Sequence, residues 1–253
     1  VFEDFGIWEF AKELKEKGLI KHLGFSMHDT ADNLEKVLIA HPEAEFVQLQ
    51  VNYLDWDNPV NQSRACMEVA AKHGVPVVVM EPLRGGYLAN VPENIKDIFG
   101  NDKTPVEWAF DYLWDMPEVG TVLSGMSDEM QVSQNIKYAE RSDVGMLSDK
   151  DKEVISAVQK EFRQIGTVNC TGCSYCNTCP KGIAIPQSFS AYNSALLKDN
   201  FPQAKHQYVD WVPRFGALPS ECIACRKCEE ICPQHLKISE LLPKIHRFFT
   251  ENN

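Results

Sequence analysis

Long apolar runs, an excess of basic charge, an export signal and a glycine-rich dinucleotide fingerprint are all missing from this chain of 253 residues. A membrane-spanning helix needs roughly eighteen consecutive apolar residues, and no stretch approaches that, so no membrane partner is predicted. Lys and Arg number 25 against 36 Asp and Glu, a net charge of −11, which argues against nucleic acid, whose phosphates call for a basic surface. The start of the chain holds neither an initiator Met nor the basic and apolar regions of a signal peptide. Reduced cysteines without an export signal predict the cytoplasm. No G-x-G-x-x-G follows a strand-like run, which disfavours a Rossmann domain.

What the chain does have is cysteine, eight of nine of them between residues 170 and 232. They form two runs, Cys170-x2-Cys173-x2-Cys176-x2-Cys179-Pro180 and Cys222-x2-Cys225-x2-Cys228-x3-Cys232-Pro233. The second is the bacterial ferredoxin pattern, in which three thiolates wrap one face of a cubane and the fourth lies beyond a turn. In two-cluster proteins of that kind the fourth cysteine ligates the other cluster. The expected sets are therefore Cys170, Cys173, Cys176 and Cys232 on one [4Fe–4S] cluster, with Cys222, Cys225, Cys228 and Cys179 on the other. The first run has one residue fewer before Cys179, which bears on its cross-ligation and not on its cluster. Two other readings stand beside this one. Paired C-x2-C units also hold zinc, although zinc has no use for three evenly spaced cysteines followed by Cys-Pro. Disulfides would need an oxidising compartment.

The first 165 residues alternate helix-period segments with short apolar runs. Helices are predicted over 5–18, 30–41, 59–74, 104–116, 128–140 and 147–165, the last opened by Ser148 as N-cap. Strands are predicted over 22–27, 46–53, 75–80 and 119–126. Alternation of this kind builds βα units on a parallel sheet. Polar residues gather just past the strand ends, among them Ser26, His28, Asn52, Asp55, Glu81, Arg84 and Ser124, where a TIM barrel carries its chemistry. Four strands cannot close a barrel. With no initiator Met, the expectation is the C-terminal part of a longer protein: the C-terminal half of a (β/α)8 barrel, class α/β, followed by a small mainly helical ferredoxin-like domain. The expected boundaries are 1–146 for the barrel part, 147–165 for a linking helix and 166–253 for the cysteine domain.

In Gly18–His28, Val47–Asn52, Glu81–Gly86 and Gly125–Asn135 the chain resembles the aldo/keto reductase family, in the branch that carries a C-terminal ferredoxin-like domain. The resemblance implies NAD(P)H-dependent redox chemistry on a small carbonyl or alcohol. By position, Ser26 and Gln48 match the residues that hydrogen-bond the nicotinamide carboxamide. Glu81, Leu83, Gly85 and Gly86 match the loop along the pyrophosphate, and Asn135 matches an adenine-binding amide. For each there is a plainer reading: a turn or cap for Ser26, a polar strand residue for Gln48, a glycine turn, a solvent-facing helical amide. Met80 stands where many members stack an aromatic ring. Gly125 and Gln131 stand where many hold Lys and Arg on a 2′-phosphate, so NADH is at least as expected as NADPH. The family's catalytic Asp, Tyr, Lys and His precede the matched segment, and no catalytic residue is assigned. Tyr53, Tyr87 and Tyr112 are expected to pack, as is Cys66, and His28 is a weaker candidate for substrate or cofactor contact.

Further on, a helix is predicted over 185–199, with Trp211, Val212 and Phe215 packing against it or against the barrel, and a closing helix over 239–249. Ile183, Ile185 and Ile231 are suitably placed to line the clusters. Two functions follow. One is a reductase whose clusters pass electrons to a redox partner protein; the other is an iron–sulfur electron-transfer module on a catalytically silent barrel.

Overall fold

The computed structural model describes residues 3–197 and 201–251. In chain order its elements are α1 (Ile7–Glu16), β1 (Gly24–Ser26), α2 (Ala31–Ala40), β2 (Phe46–Gln50), α3 (Ser63–His73), β3 (Val77–Met80), α4 (Glu93–Phe99), α5 (Pro105–Trp114), β4 (Val119–Val122), α6 (Glu129–Ala139), α7 (Asp149–Ile165), α8 (Ile185–Leu197), α9 (Phe201–His206), α10 (Lys227–Glu230) and α11 (Ile238–Glu251). They form two compact units. The first runs to Leu83 and resumes over Val106–Asp151; the second joins Arg84–Pro105 to the chain from Lys152 onward.

In the first unit the four strands are all parallel and lie in the order β1-β2-β3-β4. Each crossover steps one strand in the same direction, as in a (β/α) barrel, whereas a doubly wound sheet reverses at a switch point. Alternate residues face the helices: Val47, Leu49, Val77 and Val79 are buried, together with Leu34 and Leu38 of α2 and Met67 and Ala70 of α3. Local signals set the ends. The Thr30 side chain accepts from the Asn33 N–H at the start of α2, Asp128 accepts from the Gln131 N–H at the start of α6, and Gly74 takes a φ of 66° to stop α3. Trp8 stacks on His41 at 3.9 Å between ring centroids. The strands are shorter than expected at their ends, because the residues past Gln50 and Val122 turn away to make loops.

The second unit has its own core, built around Ile185 and Phe189 of α8 and Ile238, Leu242, Ile245 and Phe249 of α11. Tyr208 stacks on Phe249 at 4.4 Å and shares a 2.8 Å hydrogen bond with His246 Nδ1. The end of the helix expected over 185–199 lies outside the described residues, beyond Leu197. The packing expected around residue 211 needs correcting. Val212 is buried, but Trp211 and Phe215 are exposed, because residues 207–211 form a π-helical turn that rotates their faces outward. Ile231 is also exposed and is not among the walls of the cavity at Cys170, whereas Ile183 and Ile185 are buried. The division of the chain differs from boundaries at 146 and 165: the excursion after β3, which contains the unforeseen α4, packs with α7 and the cysteine region. Asn94 donates to Glu161 at 2.7 Å, and Tyr87 lies on Phe162 at 5.5 Å. Among the described residues no helix is long and apolar enough to cross a membrane.

Candidate functional site

The cysteine runs are short of regular structure, and the chain around them is fixed by unusual means. Asn193 on α8 grips Val168 with both ends of its amide: Nδ2 donates to the Val168 carbonyl at 2.7 Å, and Oδ1 accepts the Val168 N–H at 2.8 Å. That bidentate grip holds the lead-in to Cys170 as a neighbouring strand would. After the first run, Ala184 N donates to Ala217 O (3.0 Å) and Ala217 N to Gly182 O (2.8 Å), a parallel bridge that sets the end of one run beside the approach to the other. A β-carbon on Gly216 would collide with the Gly182 carbonyl.

Within the runs the backbone repeats itself. In the first, Gly172 and Ser174 have left-handed φ values of 76° and 65°; in the second, Ala224 and Arg226 have 52° and 61°. These are the third and fifth positions of each run, so both chains curl alike around their cysteines. Such curls turn successive N–H groups toward a concavity suited to anionic clusters.

Cys170, Cys173, Cys176 and Cys232 line one small cavity, whose other walls include Ile185, Pro186, Phe189, Leu236 and Ile238. Three thiols of the first run thus meet the last thiol of the second. Burial first, then the neighbouring Cys170, Cys173 and Cys232 thiols, push the Cys176 thiol up to about 12. Burial likewise raises Cys170 to about 11. Cys228 is raised to about 11 by burial, with the Glu229 carboxylate and then the Cys179 and Cys222 thiols adding to it as neighbours. Cys173 and Cys225 are exposed. Among the described residues no three His, Cys, Asp or Glu side chains converge tightly enough for a single metal ion. The four thiols share one largely apolar cavity, and a set of four thiolate donors is the chemistry that suits a cubane.

The first unit brings together part of the predicted nucleotide set. Ser26 and Gln48 are partners in the β1–β2 register, and Gln48 Nε2 stands 3.4 Å from Ser26 Oγ and 3.4 Å from Met80 Sδ. Beside them a buried polar network holds the next loops. Asn52 Nδ2 donates to Asp55 Oδ2 and to the Glu81 carbonyl, both at 3.1 Å, and Gln50 Nε2 donates to Asp55 Oδ2 at 3.1 Å. Glu81 itself takes a φ of 58°. Asn135 Nδ2 donates to Ser124 Oγ at 3.0 Å, tying α6 to the loop after β4. The Gln131 side chain accepts from the Ser127 N–H at 2.9 Å. Burial lowers the His28 imidazole pKa, which favours its neutral form. Tyr53 and Tyr112 meet edge-to-face at 6.2 Å, as packing residues do.

Leu83 ends the first unit, and Gly85 and Gly86 belong to the second. The backbone that approaches Gly85 is the chain's own: a β-carbon there would lie 2.8 Å from the Thr171 carbonyl. Asn52 and Asp55 were foreseen only as polar residues past a strand end, with no role assigned, and the Asn193 grip was not foreseen. Polar residues packed just past a strand end were the signal for the first, and the second had none.

Comparison with known proteins bears on both regions. The aldo/keto reductase family model matches residues 3–160, and a 4Fe-4S dicluster domain model matches residues 169–237. A protein of Archaeoglobus profundus that resembles a heterodisulfide reductase component is 23% identical over 103 residues, 40% of this chain and 52% of its own length. Among solved structures, the holo form of an aldo-keto reductase of Bacillus halodurans is similar with a TM-score of 0.48 at 23% identity, covering 58% of this chain and 53% of its own. An aldose reductase of Giardia lamblia follows with a TM-score of 0.46 at 18% identity, covering 61% of this chain and 50% of its own. The chain spans about half the length of these relatives.

Proposed function

Because the chain belongs to the aldo/keto reductase family, we propose that it acts in an oxidoreductase that couples a nicotinamide-dependent site to two [4Fe–4S] clusters. The substrate is a small carbonyl or alcohol, and the setting is the cytoplasm. The observation that carries this reading is the chamber in which Cys170, Cys173, Cys176 and Cys232 meet, drawn from both runs of a region matching a dicluster model. Cys179, Cys222, Cys225 and Cys228 hold the second cluster.

When bound, the nicotinamide supplies or accepts hydride and the clusters carry single electrons. The protein's part is to hold them. Ser26 and Gln48, adjacent across two strands, offer a hydroxyl and an amide to the carboxamide and so choose the ring face presented. Glu81 and Leu83 lead the loop past β3 toward the pyrophosphate, continued by Gly85 and Gly86, and Asn135 takes the adenine. Gly125 and Gln131 bring no cation, so NADH is accepted at least as readily as NADPH. Around the clusters, buried thiols must lose their protons on loading, and the apolar wall then keeps water from the sulfurs. A redox partner protein carrying a flavin reconciles the two-electron hydride with one-electron clusters.

A second reading is favoured by one observation: Tyr53 and Trp56 both meet Tyr112 edge-to-face, as core aromatics do. In that reading the barrel is a scaffold for an electron carrier. Anaerobic reconstitution with iron and sulfide, followed by NADH or NADPH, separates the two. About eight iron and eight sulfide per chain are expected. Reduction of the clusters by the nucleotide, read by electron paramagnetic resonance in the presence of a flavoprotein mediator, supports the coupled enzyme. Clusters that load and accept dithionite electrons but never those of NAD(P)H leave the carrier alone.

A further inference from the structure

The amide of Asn52, just past β2, is engaged at both ends. Its nitrogen carries two hydrogens, and they go to Asp55 Oδ2 and to the Glu81 carbonyl, each at 3.1 Å. Its oxygen accepts the Asp55 N–H at 2.9 Å. Turning the amide over would set donor against donor and acceptor against acceptor at all three contacts, so the partners fix which end is which. Two donors and an acceptor on a short, uncharged side chain is what asparagine offers and aspartate does not. Asn52 is 0% exposed and Asp55 1%, so water does not compete for these bonds.

What the amide holds is a break in the strand pattern. Carbonyls along a strand point alternately to one neighbour and the other. The Val79 carbonyl accepts from Leu123 N on the β4 side at 2.9 Å, and the Met80 carbonyl from Val51 N on the β2 side at 3.2 Å. The Glu81 carbonyl should turn back toward β4, yet it accepts from Asn52, again on the β2 side. Glu81 has a φ of 58° there, a left-handed state that costs a residue with a β-carbon and persists only where its surroundings impose it. The Asn52 side chain is such a constraint. Gln50 Nε2 steadies it from behind through Asp55 Oδ2 at 3.1 Å, and Ser63 Oγ donates to the Gln50 carbonyl at 2.9 Å.

We propose that Asn52 is a positioning residue for dinucleotide binding: by holding the Glu81 carbonyl it sets the turn that directs the backbone past β3 along the pyrophosphate. The inference rests on the nucleotide reading, in which Ser26 and Gln48, 3.4 Å apart, meet the carboxamide and Glu81 and Leu83 lead toward the pyrophosphate. Asn52 acts through Glu81 and not on the cofactor, since it is buried and both its N–H bonds are spent within the protein. Loss of the amide therefore weakens the pyrophosphate part of the ligand and spares the adenosine part, which the same reading gives to Asn135.

The test is calorimetric titration of the full chain, under anaerobic conditions, with NADH, ADP-ribose and AMP. Asn52→Ala is expected to weaken NADH and ADP-ribose about tenfold while AMP stays within about twofold of wild type. Adding Glu81→Gly, which accepts the left-handed turn without strain, is expected to recover about threefold of the lost ADP-ribose affinity. Asn52→Ser keeps one hydroxyl for the Glu81 carbonyl and decides should Asn52→Ala fail to fold; about threefold weaker ADP-ribose binding with AMP unchanged is expected of it. The inference is overturned if the folded variant binds ADP-ribose as wild type does, if AMP falls in step with ADP-ribose, which would mean a purely structural role, or if Glu81→Gly restores nothing. A wild-type chain that binds neither NADH nor ADP-ribose overturns the nucleotide reading itself, and this inference with it.

Discussion

The two cysteine runs follow one backbone course in two different settings. Each places left-handed residues at its third and fifth positions, yet the first does so with Gly172 and Ser174 and the second with Ala224 and Arg226. The first run faces a chamber walled by α8 and by the start of α11, with Cys176 buried and Asn193 gripping its lead-in. The second leaves Ile223 in solvent, although its cysteines are covered like their counterparts, with Cys173 and Cys225 exposed and Cys176 and Cys228 buried. The difference teaches that the spacing of the cysteines sets the curl, while the enclosure comes from elements distant in sequence. A run with no glycine can be driven into the same curl when the sulfurs have somewhere to converge.

The comparison breaks most severely at its crossing point. Cys232→Ser is expected to abolish the cluster of the Cys170 run and spare the one nearer to it in sequence, with a loss of about four iron per chain; Cys179→Ser should do the reverse. Iron and sulfide analysis with paramagnetic resonance reads this directly, and loss of the sequence-local cluster in either variant would refute crossed ligation. Next comes the grip on Val168. Asn193→Ala leaves a buried N–H and carbonyl without their partners and should cost about 2–4 kcal/mol in denaturant unfolding, with the first cluster lost more readily than the second. Exposure makes the third prediction: Cys173 and Cys225 are exposed alike, so under air the two clusters should bleach at comparable rates, as one phase in the visible spectrum. The smallest effect is a reciprocal pair. Gly172→Ala has open space for its methyl group but a φ of 76°, so it should destabilise by about 1 kcal/mol, while Ala224→Gly should stabilise by about 1 kcal/mol or less.

Much of this architecture can be read from residues. Val77 to Met80 announce a covered strand, Thr30 and Asp128 announce helix starts, and the spacing of the cysteines announces the meeting of Cys232 with Cys170, Cys173 and Cys176. Other features could not be read. Gly85 and Gly86 carry the same signal whether a phosphate or another part of the chain approaches, and the approach of Thr171 is a fact of tertiary packing. Ala224 and Arg226 carry no local sign of a left-handed backbone. Trp211 and Phe215 fit an apolar face only if the helix keeps its ordinary period, and the π-turn at 207–211 changes it. The seven-residue α4 is too short for its periodicity to register against the loop around it.

The meeting of Cys232 with Cys170 also has a meaning for chain topology. A cluster bound there is a cross-link closing a loop of about sixty residues, and by the loop-entropy argument that constraint alone is worth on the order of 4 kcal/mol against the unfolded chain. Helices α8 and α9 lie inside the closed loop and α11 follows it, so the second unit cannot fray from its C-terminus past α11 while the iron is in place. A missing cluster would then remove a cross-link and an electron carrier in one event.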